Sequence, residues 1–193
     1  MDRFKKWSLL LVALVLTVLV SAEILAEKAT DKSNITIRQL EPQTVLYTIY
    51  RGGYEGIGKA IGELYALATQ KKIWPRGALS CVYLNNPQYI SKEHCLTEIR
   101  IPVAKEALKQ AGTLGEMTDI KELRAMEVAV INKQGMQVNY SALFNELYDG
   151  ISKMGYRGSD NEWETFAGKA KSMDYMNMKS EIMLPVEKIS AKD

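Results

Sequence analysis

The sequence predicts an α+β fold made by tandem duplication of a strand-helix-strand-strand unit. Its sheets are antiparallel, its helices lie on one side, and a ligand groove runs between the halves. Two observations lead there. Laid on itself with a shift of 83 residues, the chain places Ile37 on Ile120, Leu40 on Leu123, Val45 on Val128 and Gly52 on Gly135. Without a gap, the same shift places Glu63-Leu64-Tyr65 on Glu146-Leu147-Tyr148 and Glu98-Ile99-Arg100-Ile101-Pro102-Val103 on Glu181-Ile182-Met183-Leu184-Pro185-Val186. Both ends of a long unit agreeing on one offset is the signature of internal repetition. The second observation is the apolar pattern, which changes from a strand period to a helix period and back within each unit.

Residues 1–26 stand apart from the repeats. Arg3, Lys5 and Lys6 precede a 12-residue apolar run, Leu9 to Val20, and Val20-Ser21-Ala22 supplies small residues where a signal peptidase reads. The run is shorter than the roughly 20 residues a spanning helix needs. The expectation is a signal peptide, with an N-terminal membrane anchor through residues 7–22 as the alternative. Export holds in either case.

Residues 27–193 read as a single domain, with repeat one at about 35–103, a connector at 104–118 and repeat two at about 119–188. In repeat one, Val45 to Tyr50 is rich in β-branched and aromatic residues and reads as a strand ending at Gly52-Gly53. Ile57, Ile61, Leu64 and Ala68 then recur at helical spacing, and Tyr140, Phe144, Leu147 and Ile151 repeat the stripe. Trp74-Pro75 closes the first helix. Ala78 to Leu84 and Cys95 to Val103 follow as strands around an Asn-Asn-Pro turn.

A helix covers one face of each half, so the twin or a ligand must cover the other. Strand alternation points Ile99 and Ile101 to the helix and Glu98 and Arg100 away from it. Ile182 and Leu184 point likewise, with Glu181 and Met183 opposite. The predicted constellation is therefore Glu98 and Glu181 as a pseudo-twofold pair on the helix-free faces.

Charge and composition exclude other functions. There are 25 Lys+Arg against 23 Asp+Glu, and 47% of residues are hydrophobic. Such a neutral globular chain has no basic footprint for nucleic acid, which is not expected as a partner. Two cysteines and one histidine, without C-x-x-C or H-E-x-x-H, give no metal site. No cofactor is expected. Cys81 and Cys95 flank the hairpin turn, and a register centred on Gln88 would place them face to face as a disulfide in an exported protein. His94 reads as an exposed loop residue; as an axial ligand it would instead support a haem carrier.

Several of these motifs resemble the GyrI-like family, also described as the AraC-type bacterial transcription activator effector-binding domain. The match is carried by Tyr50-Arg51-Gly52-Gly53-Tyr54, by Tyr83-Leu84-Asn85-Asn86-Pro87, and by the Glu-Ile-x-Ile/Leu-Pro-Val strand of both halves. It spans roughly residues 35–188. The resemblance implies a groove lined by aromatics around an acidic residue, carried over to Glu181, and a strand tyrosine carried over to Tyr83, whose repeat counterpart is Phe166. Tyr50, Glu98, Trp74, Trp163 and Phe166 complete the expected ligand-binding set.

The implied function is binding of a lipophilic cation or aromatic compound. The alternatives are a hydrolase of small cyclopropane-type compounds with Glu181 as general base, and a tetrapyrrole carrier like the SOUL proteins. An export signal stands where related regulators carry a DNA-binding segment. The resemblance therefore implies a protein of the bacterial periplasm or the outer face of the cytoplasmic membrane. Oligomeric state stays open.

Overall fold

The structure is a computed structural model, and it describes residues 34–85, 89–134, 140–167 and 179–190. Residues 1–26, expected to be a signal peptide or anchor, lie outside the described residues, as do Asn86, Pro87 and the methionines at 173, 176 and 178. The described residues form nine antiparallel strands: β1 (Ile35–Leu40), β2 (Gln43–Arg51), β3 (Ser80–Tyr83), β4 (Leu96–Val103), β5 (Thr118–Leu123), β6 (Met126–Gln134), β7 (Tyr156–Gly158), β8 (Trp163–Phe166) and β9 (Lys179–Lys188). Two helices, α1 (Ile57–Gln70) and α2 (Tyr140–Lys153), follow β2 and β6 respectively. The α+β class and the duplicated strand-helix-strand-strand order are thus present.

The sheet order is β1-β6-β9-β8-β3-β4-β2-β5, with β7 paired to β9. The two halves meet at β3 and β8, where Cys81 lies opposite Glu164. Two strands, β1 and β5, go beyond the expected unit, and each joins the other half. β1 pairs with β6 (Ile37↔Ala129), and β5 pairs with β2 (Ile120↔Leu46). Yet only Glu41 and Pro42 separate β1 from β2, a span of at most about 11 Å. The sheet must therefore curl until its two ends approach, making a half-barrel with a concave, helix-free face.

Each helix covers one half of the convex face. Ala60, Ile61, Leu64 and Ala68 of α1 join Leu46, Cys81, Ile99 and Ile101 in one buried cluster. Leu147 and Ile151 of α2 join Ile35, Ala129, Ile131, Ile182 and Leu184 in another. A fully buried Ile or Leu contributes about 1.5–3 kcal/mol, so each helix is held mainly by its apolar stripe. A third cluster fills the concave side: Val82, Val128, Val130, Trp163 and Met183.

The Cys81–Cys95 disulfide is not formed; both cysteines are buried free thiols. The hairpin register is the reason. Cys81 faces Ile99, four residues past the partner the bond would need. Burial pushes the Cys81 thiol up to about 12, with the Glu164 charge adding to it.

Candidate functional site

Strand alternation divides the expected ligand set between two faces. Glu98, Glu181 and Trp163 belong to the concave face, as the registers Val82↔Glu98, Thr165↔Glu181 and Trp163↔Met183 require. Tyr50, Tyr83 and Phe166 pack against the α1 cluster on the convex face. The structure therefore does not bring Glu181 together with Tyr83. Trp74 does not line a site with them either: it follows α1 and is 60% exposed.

On the concave face both acids are neutralised. Arg38 of the exchanged strand β1 donates to both oxygens of Glu181, at 2.6 and 3.0 Å. Those bonds raise the Arg38 pKa. Glu98 is buried between Arg100 and Lys121, the latter at 2.7 Å. A cavity of about 570 Å³ opens nearby, beside the two short strand crossings, with Trp163, Met183 and Arg100 among its lining residues. The Arg100 guanidinium lies 5.9 Å from the Trp163 ring centroid. Neither Glu98 nor Glu181 lines this cavity.

The convex face holds a different acid, Glu164, which sequence reasoning did not select. It sits at the centre of the seam between the halves and is 1% exposed. Tyr83 donates its hydroxyl to one carboxylate oxygen at 3.0 Å. Ser180 at 2.5 Å and the Lys133 ammonium at 2.7 Å donate to the other. The 83-residue shift relates the group to the first half. Glu164, Ser180 and Lys133 occupy the places of Cys81, Thr97 and Tyr50 in the first half. The first repeat has uncharged residues there, while the second has an ion pair; a hydroxyl, Thr97 or Ser180, is common to both.

The first-half counterpart of this cluster is aromatic. Tyr50 and Tyr83 flank Thr97 in register on either side. Tyr54, 48% exposed, stacks at a tilt on Tyr83 with ring centroids 5.5 Å apart. Thr97 is fully buried, and its hydroxyl has no hydrogen-bond partner among the described residues. An unsatisfied buried hydroxyl costs about 1–3 kcal/mol and calls for an explanation.

The glycines of Arg51-Gly52-Gly53-Tyr54-Glu55-Gly56 serve this arrangement. The Tyr50 ring lies against the turn, its hydroxyl donating to the Gly53 carbonyl at 3.1 Å. A Cβ at Gly56 or Gly52 would overlap that hydroxyl, and Gly52 also has φ +144. Only glycine fits both demands.

His94 is exposed and contacts Ser91 Oγ through Nδ1 at 2.8 Å. Among the described residues no group of three or more His, Cys, Asp or Glu side chains is placed to hold a metal. None of the described helices is long and apolar enough to cross a membrane.

The half-barrel with two convex helices recurs in solved structures. The C-terminal domain of EcmrR matches with a TM-score of 0.66 at 12% identity, covering 80% of this chain and 98% of that one. EcmrR in its DNA complex matches with a TM-score of 0.67 at 11% identity, covering 97% of this chain and 70% of that one. A hydrolase from Listeria innocua matches with a TM-score of 0.60 at 13% identity, covering 86% and 98%. At these identities the likeness shows the fold. No curated protein matches the chain. Residues 33–187 match the profile of the GyrI-like small molecule binding domain. The duplicated half-barrel and that match over most of its length place this chain in the GyrI-like small-molecule binding domain family.

Proposed function

We propose that the protein binds a hydrophobic aromatic small molecule at the convex seam, against Tyr54, Tyr83 and Phe166 and above Glu164. The observation that carries this reading is the placement of a buried carboxylate, Glu164, hydrogen-bonded by Tyr83, Ser180 and Lys133 where the two repeats meet. Burying Glu164 and Lys133 away from water costs several kcal/mol per ion before pairing offsets it. A purely structural seam has apolar residues of equal volume at its disposal. The orphan Thr97 hydroxyl, between Tyr50 and Tyr83, supplies a second polar contact for a ligand that the aromatic rings hold by their faces. The likeness to the Listeria innocua hydrolase is one of fold and carries no activity with it.

Fluorescence titration with triphenylphosphine oxide tests this reading. Saturable binding in the wild type that weakens about tenfold or more in Tyr83→Ala supports it, as expected for losing an aromatic contact of about 1–3 kcal/mol. Equal binding by both proteins contradicts it.

We further propose that the protein is exported from the cytoplasm. Its support is the basic start, the 12-residue apolar run and the small residues at Val20-Ser21-Ala22. Fractionation of expressing bacteria, with intact-mass measurement of the product, separates a cleaved periplasmic form from an anchored one. Recovery of full-length protein in the cytoplasm alone contradicts export.

A further inference from the structure

Resting on the seam reading above, we propose that Lys133 is a built-in counter-cation that sets ligand charge, so that the site takes neutral aromatic compounds bearing a hydrogen-bond acceptor in preference to lipophilic cations. A buried carboxylate ringed by aromatics would by itself favour a cationic guest, because ring faces and carboxylate act in the same direction. Here that place is already taken. The Lys133 ammonium lies 2.7 Å from Glu164 Oε1, with side chains 5% and 1% exposed.

An incoming cation meets a pair with no net charge. The attraction of Glu164 is cancelled by the repulsion of Lys133 at nearly the same distance, while the guest still loses its hydration. Displacing the ammonium would leave it buried without its partner. A neutral guest faces neither cost, and an acceptor oxygen on it satisfies the Thr97 hydroxyl, which has no hydrogen-bond partner among the described residues.

The first repeat lacks such a pair. The lysine's counterpart, Tyr50, closes its hydroxyl onto the Gly53 carbonyl, and the counterpart of Glu164 is the Cys81 thiol opposite it. The first half thus carries neither the acid nor the cation, whereas the second carries both.

The test uses two probes of nearly one shape, neutral triphenylphosphine oxide and cationic methyltriphenylphosphonium. Calorimetry compares both on the full chain and on Lys133→Met. The wild type is expected to bind the oxide about tenfold tighter or more, and Lys133→Met to reverse the order, since an uncompensated buried carboxylate then favours the cation. The wild-type ratio is read without any substitution, so a poorly folding variant does not remove the test. Tighter binding of the phosphonium by the wild type overturns the proposal. So does a ratio unchanged in a folded Lys133→Met, and in both cases the seam reading survives. Failure of every variant to bind either probe overturns the seam reading and this inference with it.

Discussion

Removing one partner of the Glu164–Lys133 pair strands the other charge away from water. Glu164→Gln is therefore expected to destabilise the fold by about 3–5 kcal/mol in urea unfolding. Glu164→Gln combined with Lys133→Met should lose less than the two single variants added together, because no lone charge remains. Additive losses would mean that the two side chains do not act as a pair. Cys81 gives a pH-dependent counterpart. With its thiol pushed from 9.0 to about 12, the folded state holds the proton where the unfolded chain releases it. This contribution to stability is fully present below about pH 9 and is lost as pH rises toward 12. Cys81→Ala should flatten the alkaline limb of the stability curve. In native protein Cys81 should resist alkylation at pH 8, and intact mass should not change on reduction.

At the scale of elements, the turn between β2 and α1 is held by a tyrosine ring resting on glycines. Gly56→Ala places a methyl group against the Tyr50 hydroxyl, and a loss of about 1–3 kcal/mol is expected from that overlap. Tyr50→Ala removes the obstacle, so the double variant should show strong non-additivity; independent effects would place Tyr50 elsewhere. The helices were legible because their apolar stripes are local. Ile61, Leu64 and Ala68 are buried as their spacing implies. The strands β1 and β5 were not read as elements. Each is six residues long and pairs with a distant strand of the other half, so no hairpin signal marks it. The disulfide expectation failed for a related reason: the turn composition suggested the hairpin but not its four-residue difference in register.

Exchange of β1 and β5 makes the two repeats parts of one cooperative unit. An isolated second half, residues 119–188, would lack β1 beside β6 and β3 beside β8, leaving two unpaired edges. It is expected to show no cooperative thermal transition by circular dichroism, whereas the whole domain shows one; a stable isolated half would contradict the exchanged topology. The repeat itself was plain in the sequence at one offset. The central acid was missed at the same scale. Period-two alternation along Trp163-Glu164-Thr165-Phe166 sets Glu164 on the face of Phe166 and opposite to Trp163. The signal was present: at the 83-residue shift, Glu164 and Lys133 replace Cys81 and Tyr50, so one repeat gains a charge pair at positions that are uncharged in the other.

Whether a guest sits on the convex seam or in the concave cavity is decided most directly by a crystal structure with triphenylphosphine oxide. The expected position lies against Tyr54, Tyr83 and Phe166, with the phosphine oxide oxygen turned toward Thr97. Occupancy only of the concave cavity, beside Trp163 and Arg100, would contradict the assignment of the site.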